Sequence, residues 1–347
     1  MNYTQVITEI EQLKTGKNDI DIFEMLKAYE KIKIGSQLGK MISFQAAYEY
    51  DSVGNYCEAI LKAHKYIVGR FTTYALKRPC EYIQVNAKAI SQKQFAIFGE
   101  KILTSDYFEK SHFTQMEVYF LIALFYFDEK KCDYILLPNA MSDVCEISVE
   151  EFGIHKRSLV KQIFSFREYE NLEVNAASKM EAQNSARAID ILQKEGILLK
   201  EKSAEKALLS NVCEGRFEIL KSKPYFIADG ANGEKATKIL MANLQYYFPD
   251  NPYIFIMGSR QENYESVVKE SALMAQQIIT ITPPEISDAI PSYELAKEIE
   301  KLNQNITNVG SIEEAVELAN LLADRNTVVV GFGDCSWLER YKKTVVT

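Results

Sequence analysis

The apolar positions of the chain form two successive stretches in which helix-like and strand-like segments alternate. Ile7, Ile10 and Leu13 recur at helical spacing, as do Ile22, Phe23, Leu26 and Tyr29, so residues 3–30 read as helices. Lys40 to Ala47 is β-like. Tyr56, Ala59, Ile60 and Ala63 share one face of a helix over Tyr56–Lys65, and Tyr66–Thr72 is a second strand. Strand, turn, helix and strand in that order predict a βαβ unit of a parallel sheet. Thr114–Glu129 reads as a long apolar helix, and Asp133–Leu137 as a strand stopped by Pro138. Residues 141–175 are polar and carry no assignable period, while Lys179–Glu195 and Ala204–Leu209 read as helices.

The pattern restarts at Tyr225–Ala228, a strand ending in Asp229-Gly230. Glu234–Phe248 (helix), Tyr253–Met257 (strand), Tyr264–Gln276 (helix) and Gln277–Ile281 (strand) follow. Helices over Tyr293–Leu302 and Ile312–Asp324 and a last strand over Thr327–Gly331 complete a second doubly wound domain. The boundary is expected near Cys213, giving domains of 1–213 and 214–347.

Composition narrows the function. The 347 residues suit two domains, and a 47% apolar content supports a real core. A net charge of −8 argues against a nucleic-acid or anionic-lipid surface, so neither nucleic acid nor membrane is expected as a partner. The opening Met1-Asn2-Tyr3-Thr4-Gln5 lacks a cationic segment followed by an apolar run, so no secretory signal is expected. Six scattered cysteines without a C-x-x-C pair fit reduced thiols and a cytoplasmic location. His64, His112 and His155 share no metal-binding spacing, and no metal site is expected.

Several short motifs fall in a recognisable order. Tyr66-x-Val68-Gly69-x-Phe71-Thr72, Glu81-x-Ile83-x-Val85-Asn86 and Ile90-Ser91 come first. Thr114-x-x-Glu117, Asp133, Gly215-Arg216-Phe217-Glu218, Asp229-Gly230-Ala231, Thr282-x-Pro284 and Glu314-Ala315 follow. The set resembles the folylpolyglutamate synthase/dihydrofolate synthase family of the Mur-ligase superfamily, over nearly the whole chain. The resemblance implies a P-loop-NTPase-like N-terminal domain with a Rossmann-like, doubly wound C-terminal domain. It also implies an ATP-dependent ligation of glutamate to a folate γ-carboxylate through an acyl phosphate, with ATP and two metal ions in an interdomain cleft.

The departures concern the residues that would do this chemistry. Where the family has the phosphate loop G-T-N-G-K-G-S, this chain reads Ala46-Ala47-Tyr48-Glu49-Tyr50-Asp51-Ser52. Such a loop needs glycines, so that backbone N–H groups wrap the phosphate, and a lysine to neutralise it. Here Glu49 and Asp51 replace two glycines, Tyr50 replaces the lysine, and only Ser52 is retained. At about 5 Å and an effective dielectric of about 20, each carboxylate–phosphate pair costs roughly 3 kcal/mol. Pro138 stands at the family's magnesium-binding glutamate, and Asp229-Gly230-Ala231-Asn232 lacks the family's histidine. Met141–Glu146 does not match the segment that should follow the third strand, and the region of the second metal ligand is shortened.

Ligand-binding positions carried over from the family are Ser52, Thr72, Asn184, Arg216 and Asp229; no catalytic residue is assigned. Glu49 and Asp51 read as a solvated acidic turn rather than a new cation site. Arg216 reads equally as an anion contact or a structural salt bridge. Asp229 reads as a helix-capping residue in an ordinary βα turn, and Asn184 as a helix-surface residue. Tyr48, Tyr50 and Tyr74 read as bulk filling the former ATP cleft, the alternative being a stacking surface for a flat ligand. Gly331-x-Gly333 is set aside as a dinucleotide motif for want of a third glycine and a following helix.

The leading expectation is a folylpolyglutamate synthase-like pseudoenzyme with a binding or regulatory role and no cofactor, whose partner is a folate-like molecule or a protein. One alternative is an active ligase using ATP and magnesium, which needs a relocated cation near Ser52; Lys40 and Lys62 are nearest in sequence. Another is a scaffold subunit of a biosynthetic assembly.

Overall fold

The computed structural model describes all residues except 15–19, 34, 36, 45–51, 73–77, 110–111, 139–150, 212–214, 285 and 287. The chain forms two compact units. One comprises Met1–Gly153, Ser165–Leu172 and Gln183–Asn211; the other comprises Ile154–Phe164, Glu173–Ala182 and Val212–Thr347. No helix among the described residues is long and apolar enough to cross a membrane.

The first unit opens with helices α1 (Tyr3–Glu11) and α2 (Ile22–Ile32). A capping box starts α1: the Gln5 N–H donates to Asn2 Oδ1 (2.9 Å) and the Asn2 N–H donates to Gln5 Oε1 (2.8 Å), satisfying two otherwise orphaned donors. Strand β1 (Lys40–Phe44), helix α3 (Ser52–Ala63) and strand β2 (Val68–Phe71) follow. The strands β3 (Ile83–Val85) and β4 (Lys88–Ala89) lead to α4 (Gln92–Leu103), α5 (Asp106–Glu109), α6 (Gln115–Glu129) and β5 (Tyr134–Pro138). The sheet order is β1-β5-β2-β3-β4. Both β1 and β2 run parallel to β5, with Tyr134 facing Lys40 on one side and Val68 on the other. The predicted βαβ unit is therefore present, with β5 inserted between its two strands.

The landmark Thr114-x-x-Glu117 is a second capping box, at the start of α6. The Thr114 N–H donates to Glu117 Oε2 (2.7 Å), and the Glu117 N–H donates to the Thr114 hydroxyl (3.4 Å). Every residue from Val118 to Phe127 is buried, as expected of a helix apolar on all faces. The approach to β2 is close: a Cβ on Gly69 would lie 2.7 Å from the Phe127 ring. The glycine of the Val68-Gly69-x-Phe71 motif thus makes room for α6.

Residues left unassigned by their polarity contain a small sheet, β6 (Phe152–Arg157), β7 (Gln162–Phe166) and β8 (Tyr169–Val174), in sequential order. Phe164, Phe166, Leu172 and Val174 are buried, spaced two apart along their strands. The helices α7 (Lys179–Lys194) and α8 (Glu201–Ser210) follow, and α8 packs on α3.

The second unit is built on β9 (Glu218–Ser222), β10 (Tyr225–Ala228), α9 (Glu234–Tyr247), β11 (Tyr253–Met257), α10 (Tyr264–Ser271) and β12 (Gln277–Thr280). It continues with α11 (Ser292–Glu300), β13 (Ile306–Asn308), α12 (Ile312–Leu322), β14 (Val328–Phe332) and α13 (Leu338–Val346). The strand order is β13-β12-β11-β14-β10-β9, parallel except for the edge strand β9. This is the expected doubly wound sheet. Helix α13 corrects one sequence reading: a helix does follow Gly331-x-Gly333.

Candidate functional site

The strand–connection–helix context of a phosphate loop is present in the first unit. The connection itself (residues 45–51, with Ala47, Tyr48, Glu49, Tyr50 and Asp51) lies outside the described residues, as does Tyr74. Its flanks are described. β1 ends at Phe44 and α3 begins at Ser52, which is buried. Thr72 follows the carboxyl end of β2, is buried, and donates its N–H to the Tyr82 carbonyl (2.9 Å). Pro138 pairs with Phe44 at the carboxyl end of β5. Thr72 and Pro138 therefore lie at the carboxyl ends of parallel strands, where α/β sheets bind ligands, and Ser52 opens the helix that follows β1 in the chain.

Neither lysine named for the ligase alternative supplies a cation there. Lys40 starts β1 and is held by Glu195 (Nζ–Oε2 2.9 Å) and by the Glu195 carbonyl (2.8 Å). Lys62 is exposed in the last turn of α3, ten residues and about 15 Å along the helix from Ser52. A cation that sequence reading missed lies nearer. Arg70, in the middle of β2, is 7% exposed and donates through Nη1 to Asn55 Oδ1, one turn after Ser52. Its Nε is 3.4 Å from Glu58 Oε2, and its Nη2 donates to Gln84 Oε1 (2.9 Å). A charged residue at a central strand position is an unusual signal, since such positions are normally apolar when both faces are covered.

Asn184 is not a surface residue. It is buried in α7, its Oδ1 accepts from Arg187 Nη1 (2.8 Å), and its buried Nδ2 has no hydrogen-bond partner.

In the second unit Arg216 and Asp229 do come together. Asp229, directly after β10, accepts from the Phe217 N–H through Oδ2 (2.8 Å) and from the Ala231 N–H through Oδ1 (2.8 Å). It ties the segment after Gly215 to the β10–α9 turn and does not cap α9, whose N-cap is Gly233. Burial raises its carboxyl to about 6; the Arg216 charge and the two N–H donors pull the other way. Arg216 Nε lies 4.0 Å from Glu181 Oε1, a carboxylate only 2% exposed. One guanidinium thus stands beside two buried carboxylates. The exposed His155 on β6 joins no such group. Among the described residues no three His, Cys, Asp or Glu side chains come together as a metal-ligand set.

Residues 215–335 match the family model of the Mur ligase, glutamate ligase domain. Solved structures match the whole chain. Thermotoga maritima folylpolyglutamate synthase is 19% identical, with 99% of this chain and 97% of that chain covered at a TM-score of 0.78. Mycobacterium tuberculosis folylpolyglutamate synthase complexed with ADP is 13% identical, with 99% and 98% covered at 0.83. The bifunctional folylpolyglutamate synthase/dihydrofolate synthase from Yersinia pestis, complexed with AMPPNP and Mn ion, is 14% identical, with 100% and 98% covered at 0.77. No curated protein matches the chain.

The chain has the folylpolyglutamate synthase fold. The stretch that matches the glutamate ligase domain model opens at Gly215, whose carbonyl accepts from the Gly230 N–H (2.9 Å). Arg216 and Asp229 therefore belong to the first structural joint of that stretch. On the N-terminal side, Thr72 follows β2 directly and Ser52 opens α3.

Proposed function

We propose that this folylpolyglutamate synthase-like protein has lost the ATP and magnesium site of its fold and acts as a binding or regulatory protein. One observation carries the reading. The connection between β1 and α3 has the sequence Gln45-Ala46-Ala47-Tyr48-Glu49-Tyr50-Asp51, with two carboxylates, no lysine and no glycine, and neither Lys40 nor Lys62 compensates from outside. A triphosphate and its magnesium need cations and free N–H groups at that point. The residues present do not fit the group, and no catalytic step through it is derived. Magnesium fares no better at Pro138, which offers no side-chain ligand.

The ligase alternative has one cation in its favour, Arg70. Glu58 already neutralises that guanidinium, and an extended side chain locked to Asn55 and Gln84 has little freedom to turn to a phosphate. The folate-like ligand and the protein partner stand as the two candidate functions of the retained frame.

Calorimetric titration of the purified chain with ATP and magnesium tests the proposal, with a reduced folate titrated separately. No saturable heat from ATP at millimolar concentration is the expected result. Magnesium-dependent saturable binding of ATP would overturn it.

A further inference from the structure

A side-chain bridge outside the candidate site joins the end of α3 to the start of α8, both in the first unit. His64 follows the last residue of α3 and is half-buried. Its Nδ1 lies 2.8 Å from the Ile60 carbonyl oxygen, and its Nε2 lies 2.8 Å from the Lys200 backbone nitrogen. The two partners fix the state of the ring. A carbonyl only accepts, so Nδ1 carries a hydrogen; a backbone N–H only donates, so Nε2 carries none. In this arrangement His64 is the neutral Nδ1–H imidazole.

The bond to Ile60 holds the ring on its own helix. The bond from Lys200 serves α8. Lys200 is the N-cap of that helix and brings no side-chain cap, and its N–H is one of the donors that a helix start leaves without an intrahelical partner. The imidazole meets that donor from 136 residues away in the chain. The Lys200 carbonyl in turn accepts from the Ser203 N–H (2.9 Å) and the Ala204 N–H (3.0 Å), so the first turn of α8 depends on where Lys200 is held. Burial does little to hold it. Leu198 is 93% exposed, Lys200 is exposed, and no residue between Ile197 and Ala204 is buried.

A proton on Nε2 turns this acceptor into a donor. Two N–H groups then point at each other across 2.8 Å and must separate. The added charge meets more cations than carboxylates. Lys62 and Lys65 are its neighbours on the α3 side, and Lys200 and Lys202 stand at the start of α8, where the helix dipole also disfavours a cation. The carboxyl end of α3 acts in the opposite sense. Of the carboxylates on the surrounding elements, Glu195 is paired with Lys40, Glu58 with Arg70, and Asp133 accepts from the Ile67 N–H; Glu201 is exposed. Among the described residues none forms an ion pair with the ring.

We propose that His64 is a proton-sensitive latch on α8, closed when the imidazole is neutral and open when it is protonated. Histidine is the side chain that ordinarily changes charge between about pH 5 and 8, so the start of α8 loosens as the medium turns acidic. Helix α8 is the last helix of the first unit, and it packs on α3, the helix that Ser52 opens. The latch thus acts within the N-terminal frame, and it stands whether or not that frame binds a nucleotide.

The test is NMR of the full chain. A long-range ¹H–¹⁵N correlation of the imidazole at about pH 8 reads the tautomer, and hydrogen exchange of the Lys200, Ser203 and Ala204 amides down to about pH 5, corrected for intrinsic rates, reads the latch. The chain has three histidines, and the other two, His112 and His155, are exposed. The expected result is the Nδ1–H form, with a roughly tenfold loss of protection at these amides on acidification and none at the buried helix α6. His64→Gln offers Lys200 an acceptor that does not titrate and is expected to abolish the pH dependence. An Nε2–H tautomer at the upper pH, protection that does not change with pH in the wild type, or the same acid-induced loss in His64→Gln would overturn the proposal.

Discussion

A Cβ at Gly333 would stand 2.5 Å from the carbonyl oxygen of Gly258, so two glycines set the spacing between the ends of β11 and β14. The obstacle is backbone rather than a flexible side chain, and φ +116° adds strain for any L residue. Gly333→Ala is expected to destabilise the protein by about 2–4 kcal/mol, read as a lower urea midpoint by circular dichroism. An unchanged midpoint would mean that the strand ends separate easily.

Asp229 makes stability depend on pH in an unusual direction. Burial disfavours its charge and pushes the folded carboxyl up to about 6, well above the ordinary aspartate range. The folded state then holds more protons than the unfolded state between about pH 4 and 6, so this residue's contribution falls as pH rises through that window. A rise from roughly 4 to about 6 corresponds to a loss on the order of 3 kcal/mol by pH 7. Urea denaturation across the window is expected to show this fall in the wild type relative to Asp229→Asn, which has no charge to lose. Parallel curves for the two proteins would contradict the assignment.

Arg216 offsets the charges of Asp229 and Glu181. Arg216→Ala leaves both carboxylates buried without that cation and is expected to cost about 3–5 kcal/mol. It should also raise the Asp229 midpoint further, since the attraction that lowers it is gone. Arg216→Lys keeps the charge but loses the planar fork, and should fall between the two.

Arg70 and Glu58 form the corresponding buried pair in the first unit. Removing either alone strands a charge in the core, so Arg70→Ala is expected to destabilise by about 3–5 kcal/mol. The double variant Arg70→Leu/Glu58→Leu should recover much of that loss, and a double-mutant cycle measures the difference. Strict additivity would show that the two side chains do not interact.

The two larger sheets could be read from the sequence where a strand is a short apolar run next to an amphipathic helix, as at Tyr253–Met257 and Glu234–Phe248. What escaped had a weaker local signal. Phe164, Phe166, Leu172 and Val174 alternate with polar residues, and their period of two was hidden within a polar stretch. The bridge between His64 and Lys200 spans 136 residues, and no local spacing announces it. Arg70 looked like an ordinary strand residue inside a motif. Asn184 was misjudged as exposed because α7 is rich in polar residues, and its burial is set by tertiary packing rather than by sequence period.

Trp337 is the chain's single tryptophan, and it is buried with its indole N–H on the Gly258 carbonyl. Intrinsic emission excited at the red edge of protein absorption therefore comes from one known spot, the clamp between β11 and β14. The protein carries its own optical gauge of that joint: a change in colour or quenching on adding a small molecule reports on the ends of β11 and β14, with no dye or label needed.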